Sequence, residues 1–390
     1  MKISAVIAEY NPFHLGHALH LKKTREQGCD KIIVILSGNF TQRGEAAIFD
    51  KFTRAACALR SGADLVLELP TFFALSPAEG FADGAVRILD ALGCVDALSF
   101  GSEIDDLDAL RGTAALLAQE SPMYQVYLQE QLSAGKSFPA AREKAFTLAY
   151  GEQAAAPLRS PNAILGLEYL QALARQKSGI APCVVRRTGG GYADSALSGA
   201  LSSALAIRKD MREGGMLWQR SVPEQLLSCY QNPVMESAVF PHLLYLLRSK
   251  SPEELAQIHG VTEGLEYRLW RAGRQARDYE ELLCLIKSKR YAMARIKRAL
   301  CCLLLGITKQ KAAETQAAPL YARVLGVREE SRALLSWLSD CARIPILSSP
   351  KELEHNPLLE LDLRAADFYG ILQTPCAPAG RDYRQGLIRI

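Results

Sequence analysis

Glu9-Tyr10-Asn11-Pro12-Phe13-His14-Leu15-Gly16-His17 separates an apolar run, Ile3 to Ala8, from a segment of helical spacing, His17 to Gln27. Strand, loop and helix in that order open a βαβ unit, the building block of a parallel sheet. Asn11-Pro12 breaks the strand, because proline has no amide hydrogen to offer a neighbour. Gly16 lets the backbone approach a ligand closely, and the helix behind it turns its free amides and positive dipole end toward an anion. His14 and His17 add two side-chain donors to the same turn.

Outward from this loop the alternation continues with apolar Lys31 to Leu36, helical Asp50 to Ser61 and apolar Asp64 to Leu69. Gly62 stands where a C′ glycine closes the second helix. Ser76-Pro77-Ala78-Glu79 offers the third an N-cap, a proline at the first helical position and a capping glutamate. A fourth strand is read at Ala97 to Phe100 and a fifth at Cys183 to Arg186, with helices between them, so the fold class is α/β with an elaborated Rossmann-like sheet. After about Arg208 the pattern is mostly helical to about Leu305. Strand-like Tyr321 to Val327, a helix near Ser331 to Leu338 and strand-like Ile344 to Leu347 follow. The expected organisation is a first domain over 1–201, a helical region over 202–313 and a small C-terminal α/β unit over 314–390.

At 390 residues, 49% hydrophobic and 23% charged, the chain is composed as a folded globular protein. A formal net charge of +4 is too small to announce nucleic-acid binding by itself, so any such case rests on where the cations lie. The 10 cysteines lack paired CxxC spacing and read as reduced core residues, and no metal ligand set is assigned. No basic leader with a long apolar stretch precedes the first strand, and the most apolar later segment, Ala299 to Gly306, is far shorter than a membrane helix. The expected location is the cytoplasm, with no membrane partner.

Transfer of a nucleotidyl group builds negative charge on the α-phosphate and the departing pyrophosphate, and fixed donors lower that barrier without attacking anything themselves. Imidazoles suit this role, which makes His14 and His17 the candidate catalytic residues. Neither a Walker lysine-serine signature nor a dinucleotide glycine fingerprint follows the first strand.

The histidine-x-glycine-histidine signature resembles that of the nucleotidyltransferase superfamily. Glu9 to His17, Ser37-Gly38-Asn39-Phe40-Thr41-Gln42-Arg43-Gly44-Glu45 and Phe100-Gly101-Ser102-Glu103 together resemble the bacterial tRNA(Met) cytidine acetate ligase family over nearly the whole chain. Later markers are Ser160-Pro161-Asn162, Arg186-Arg187-Thr188-Gly189-Gly190-Gly191-Tyr192, Lys289-Arg290-Tyr291 and Arg295-Ile296-Lys297-Arg298. The resemblance implies a nucleotidyltransferase domain that makes acetyl-adenylate from acetate and ATP, with Mg²⁺ alongside, and acetylates N4 of the wobble cytidine of elongator tRNA(Met). It places ATP contacts at Ile7, Ala8, Glu9, Tyr10, Asn11, Pro12, Phe13, His14, Leu15, Gly16, His17, Ala18, Leu19 and His20, and at Gly101, Asn162 and Arg187. Two departures stand out. Leu205 occupies the family's threonine position in Ser202-Ser203-Ala204-Leu205-Ala206-Ile207-Arg208, and Tyr192-Ala193-Asp194 lacks the histidine expected after the tyrosine.

On physical grounds Gly101 lies past the fourth strand, at the sheet edge where open α/β proteins bind ligands, or else marks a plain turn. Asn162 follows Ser160-Pro161 at a helix start, where it binds a ligand or assists the cap. Arg187 reads as a phosphate-binding cation beside a glycine-rich loop, or as a surface arginine. Gln42 and Arg43 belong to a loop directed at the same edge.

A basic cluster runs from Arg268, Arg271, Arg274 and Arg277 to Lys287, Lys289, Arg290, Arg295, Lys297 and Arg298, interleaved with Tyr267, Tyr279 and Tyr291. Phosphate neutralisation dominates RNA affinity, so Lys289, Arg290, Tyr291, Arg295, Lys297 and Arg298 are the candidate tRNA contacts. A solvated helix face is the competing reading. Two other functions use the same residues: adenylyl transfer to a small phosphorylated metabolite, and RNA binding without catalysis. No DNA partner is expected.

Overall fold

The computed structural model describes residues 1–187, 197 and 201–390. Its strands are β1 (Ile3–Ala8), β2 (Lys31–Ser37), β3 (Leu65–Leu69), β4 (Ala97–Ser102), β5 (Ala181–Arg186), β6 (Ala322–Val327), β7 (Ile346–Leu347) and β8 (Ile388–Arg389). They form one sheet in the order β5-β4-β1-β2-β3-β6-β7, with β8 on β6. The first five strands run parallel: β1 pairs with β2 on one side and β4 on the other, β2 with β3, and β4 with β5. Helices join these parallel neighbours, beginning with α1 (Leu15–Glu26) and α2 (Lys51–Arg60).

This order has a functional consequence. The chain leaves β1 for β2 and β3, then returns to place β4 on the opposite side of β1. Connections therefore diverge above the carboxyl ends of β1 and β4, opening the crevice in which doubly wound folds bind ligands.

Local chemistry explains the element boundaries. Asp50 caps α2 by accepting from the amides of Phe52 and Thr53, and Gly62 follows its C-cap at φ 110°. Ser76 does not cap the helix Ala78–Ala91. Its hydroxyl donates instead to Phe72 O at 2.8 Å, because the short helix Thr71–Ala74 immediately before it presents that carbonyl first.

Residues 314–390 do not form a sheet of their own. β6, buried at every position, runs antiparallel along the open edge of β3 with Val324 opposite Leu67, and β7 and β8 pair with β6. An apolar strand at that edge removes a row of unpaired backbone groups. The join is fixed by charge as well. Lys51 Nζ meets Glu68 and Asp382 at 2.6 Å each, and Arg323 bridges the same two carboxylates, all four side chains being almost fully buried. Two cations and two anions balance in a closed ring.

The helices between Phe240 and Ala317 surround a second core of Leu243, Leu247, Leu269, Ile286, Ile296 and Leu300. Phe40 and Ala46 from the loop after β2 enter that core, so the helical region rests directly on the site loop. Among the cysteines, Cys29, Cys57, Cys301 and Cys302 are buried as a core reading requires, whereas Cys284, Cys341 and Cys376 are exposed. Among the described residues no helix is long and apolar enough to cross a membrane.

Candidate active site

The turn from β1 into α1 is built on the histidines themselves. His14 is the N-cap residue: the Gly16 amide donates to His14 Nδ1 at 3.0 Å, and the His14 amide donates to His17 Nδ1 at 3.2 Å. This reciprocal pair does for α1 what serine and glutamate do in an ordinary capping box. The two rings stack with centroids 3.6 Å apart. A Cβ on residue 16 would come within 2.9 Å of His14 Cε1, so the glycine makes room for the ring.

Because both Nδ1 atoms accept amide hydrogens, a neutral ring carries its proton on Nε2. Burial, reinforced by the charges of Arg187 and Arg208, pushes His14 down to about 3. Burial and then His14 hold His17 well below the ordinary histidine range, and burial with Arg187 and Lys23 brings His20 to about 4. The site therefore presents neutral donors.

A stability prediction follows from these directions. The folded values lie below the unfolded value of ~6.5, so unfolding takes up protons in acid. The contribution of these histidines is fully present above about pH 6.5 and is lost as pH falls from there toward 3. The melting temperature of the ligand-free protein should fall over that window, and His14→Asn should flatten the fall. An identical slope in the variant contradicts the assignment.

A cavity above the carboxyl ends of β1 and β4 is lined by Ile7, Glu9, Tyr10, His14, His17 and His20, by Phe100, Gly101 and Asn162, and by Arg187, Ser203 and Arg208. The Arg187 side chain lies across Gly101, where a Cβ would sit 3.2 Å from Arg187 Cγ. Asn162 Nδ2 donates to Glu103 Oε1 at 2.5 Å and the Ala163 amide to Glu103 Oε2 at 3.2 Å. Thus the loop after β4 caps the helix Pro161–Arg175 and holds Asn162 at the rim.

Ser203 caps the helix Ala204–Arg212 through the Ala206 amide at 3.1 Å, bringing that helix's amino end to the cavity. Arg208 donates to Asn11 O at 2.7 Å and pairs with Glu45 at 3.5 Å. Burial pushes the Glu45 carboxyl up, but Arg208 and Lys297 outweigh it and hold the group below its usual range. Beneath the site, fully buried Arg54 donates to the carbonyls of Glu9 at 2.6 Å, Phe49 at 2.8 Å and Ser37 at 3.0 Å, and also to that of Gly38. One guanidinium thereby ties together the loops that follow β1 and β2.

The HIGH Nucleotidyl Transferase family model matches residues 1–383. The tRNA(Met) cytidine acetate ligase of Caldanaerobacter subterraneus subsp. tengcongensis is 38% identical over 404 residues, covering 100% of both chains. That of Clostridium perfringens is 36% identical over 399 residues, with 98% of both covered. The crystal structure of Thermotoga maritima TmcAL bound with alpha-thio ATP superposes with a TM-score of 0.91 at 35% identity, covering 100% of both chains. The chain belongs to the tRNA(Met) cytidine acetate ligase family. It is accordingly an enzyme of the HIGH nucleotidyltransferase type, with a mixed α/β Rossmann-like fold.

Membership in this family does not make every carried-over residue face the cavity. Phe13 is fully buried in the core against Tyr10, and Pro12 is buried beside it; neither lines the cavity. Leu15 and Ala18 border a separate hollow with Arg60 and Gly62, because they lie a third of a turn away from His14, His17 and His20. The cavity also takes residues absent from the expected contacts: Lys23, Glu45, Tyr169, Ser203 and Arg208. Lys23 was visible as the next step of the three-residue spacing from His17 through His20. Thr188 to Tyr192, and the Tyr192-Ala193-Asp194 departure, lie outside the described residues.

The basic cluster divides sharply. Lys297 is not free to meet RNA phosphates: it is held between Glu45, at 2.8 Å, and Glu236. Arg298 donates to Gln42 O at 3.0 Å in the loop after β2, and Arg268 to the carbonyls of Leu285, Ile286 and Lys287 at a helix end, so both are engaged by the protein's own backbone. Tyr291 is buried and donates to Glu263 O at 2.6 Å, which removes it as a stacking platform. Arg295 binds Glu263 at 3.4 Å and also Thr262. Lys289 and Arg290 are exposed, Arg290 lying 3.5 Å from Glu263, and Tyr267 is the exposed member of the interleaved tyrosines.

Proposed function

We propose that this enzyme activates acetate with ATP as acetyl-adenylate and transfers the acetyl group to N4 of the wobble cytidine of elongator tRNA(Met). The observation that carries the chemistry is the stacked His14–His17 pair, whose amide-accepting Nδ1 atoms leave two Nε2–H donors in a cavity that also holds Arg187 and a helix amino end. The matched relatives are named as tRNA(Met) cytidine acetate ligases, which supports acetate and tRNA as the other substrates.

An acetate oxygen attacks the α-phosphorus, the bond to the bridging oxygen breaks and pyrophosphate leaves. His14 and His17 donate to the α-phosphate oxygens as charge builds there, and Arg187 with the amides before Ala206 receives the outer phosphates. The cytidine amine then attacks the acyl carbon, AMP departs and the amine gives up a proton. Among the described residues no metal-binding cluster of histidine, cysteine and carboxylate side chains is present, and the cavity carboxylates Glu9 and Glu45 are engaged by the Gln42 amide and by Arg208 and Lys297. The site does not fit a protein-held Mg²⁺, and no step is assigned to the ion. For RNA, exposed Lys289 and Arg290 are the proposed phosphate contacts.

Acetate-dependent exchange of pyrophosphate into ATP tests the first step. Exchange that instead requires a phosphorylated metabolite overturns it in favour of simple adenylyl transfer. Arg187→Ala should weaken ATP binding roughly ten- to hundredfold, the worth of a charge-assisted hydrogen bond, as read by titration calorimetry. Equal affinity in variant and parent makes Arg187 a surface residue.

A further inference from the structure

Outside the cavity, one thiol is placed for chemistry that acetyl transfer does not use. Cys229 ends the short helix Glu224–Cys229 and is half-buried, with the Arg60 guanidinium donating to its Sγ at 2.8 Å. The buried Cys57 of α2 lies one turn before Arg60 and packs in the same core cluster as Cys229 and Tyr230. The neighbouring Cys57 and the Arg60 guanidinium bring the Cys229 thiol down to about 6, while Cys229 and burial push Cys57 far up. A cation-paired, reachable thiolate beside a protonated partner is the arrangement found in reactive cysteines, whereas a buried structural cysteine is inert.

We propose that Cys229 and Cys57 form a peroxide-sensitive thiol pair, with Cys229 the attacking sulfur and Cys57 the resolving one, whose closure to a disulfide disturbs the ATP loop. The Cys229 thiolate attacks a peroxide oxygen: an S–O bond forms, the O–O bond breaks, and the departing oxygen leaves as water after taking a proton. Cys57 then loses its proton as its sulfur attacks Cys229, the S–S bond forms, the S–O bond breaks, and a second water leaves. Two thiols have been oxidised by two electrons and one peroxide reduced to two waters.

The link to the loop is the next residue. Tyr230 donates to Phe13 O at 2.7 Å from a buried position and stacks on Phe49 with ring centroids 4.9 Å apart. Closing Cys229 onto Cys57 with a bond of ~2.05 Å moves the base of that contact, one residue from His14. The effect on ATP rests on the function proposed above; the thiol chemistry does not.

The reduced protein at pH 7 should be treated with a small excess of hydrogen peroxide, quenched and mapped as non-reduced peptides. The expected result is a Cys57–Cys229 linkage that appears before modification of exposed Cys284, Cys341 and Cys376 and is reversed by dithiothreitol. Cys57→Ser should accumulate a dimedone adduct at Cys229, and Arg60→Met should slow the reaction roughly tenfold. ATP affinity should fall severalfold on oxidation and recover on reduction, with no such fall in Cys229→Ser. Absence of both the linkage and the dimedone adduct overturns the site, and a linkage formed with unchanged ATP affinity overturns its coupling to the loop. Reduced protein that fails to bind ATP while still forming the linkage contradicts the proposed function and leaves the thiol pair standing.

Discussion

His17→Ala is expected to lower acetate-dependent ATP–pyrophosphate exchange by about 10²–10³-fold, the usual loss when one fixed donor to a developing oxyanion is removed. The expectation rests on a donor held ready before substrate arrives: His17 Nδ1 is committed to the His14 amide, so the neutral ring offers Nε2–H without reorganising. Alanine also removes that hydrogen bond at the helix start, which by itself costs ~0.5–1.5 kcal/mol of stability. His17→Asn retains an acceptor near the amide and separates the two effects. It should regain much of the lost melting temperature and little of the exchange rate. Exchange within a few-fold of the parent in His17→Ala removes the histidine from catalysis.

The largest effect on stability is expected from Lys51→Met. Lys51 is 1% exposed and neutralises Glu68 and Asp382 together with Arg323. Removing one cation from a buried, balanced ring strands a carboxylate away from water, at a cost of ~3–5 kcal/mol. For a chain of this length that corresponds to a fall in melting temperature of roughly 4–6 °C if unfolding is cooperative. Asp382 lies on the C-terminal segment, so the variant should also expose residues after Pro378 to limited proteolysis before the remainder. A melting temperature within a degree of the parent means the ring contributes nothing net.

The strands around the site were legible because each is apolar, short and bounded by its own chemistry. The Asn11-Pro12 turn follows the first, Gly62 follows the second helix, and the observed limits of β1 and β2 fall within a residue of the apolar runs. The antiparallel docking of β6 on β3 was not legible, since an apolar strand does not name a partner more than 250 positions away. A contiguous stretch from Ile7 to His20 likewise says nothing of its sides until the helix phase separates His14, His17 and His20 from Leu15 and Ala18.

The basic cluster shows the same limit more sharply. Lys297 and Arg290 look alike in sequence, but Lys297 meets Glu45 and Glu236, both distant along the chain, and becomes part of the frame behind the cavity. Glu45 is in turn the partner of Arg208, so a change at Lys297 acts on the cavity wall as well as on charge. Arg208 and Ser203 stood in a quoted motif whose significance depended on which way the helix Ala204–Arg212 points.

The central claim is tested most directly by incubating the protein with ATP, carbon-labelled acetate and bulk tRNA, then digesting the RNA to nucleosides. Label recovered as N4-acetylcytidine from elongator tRNA(Met), dependent on ATP and lost in His17→Ala, is the predicted result. Acetate-independent ATP turnover with no label in RNA would contradict the account.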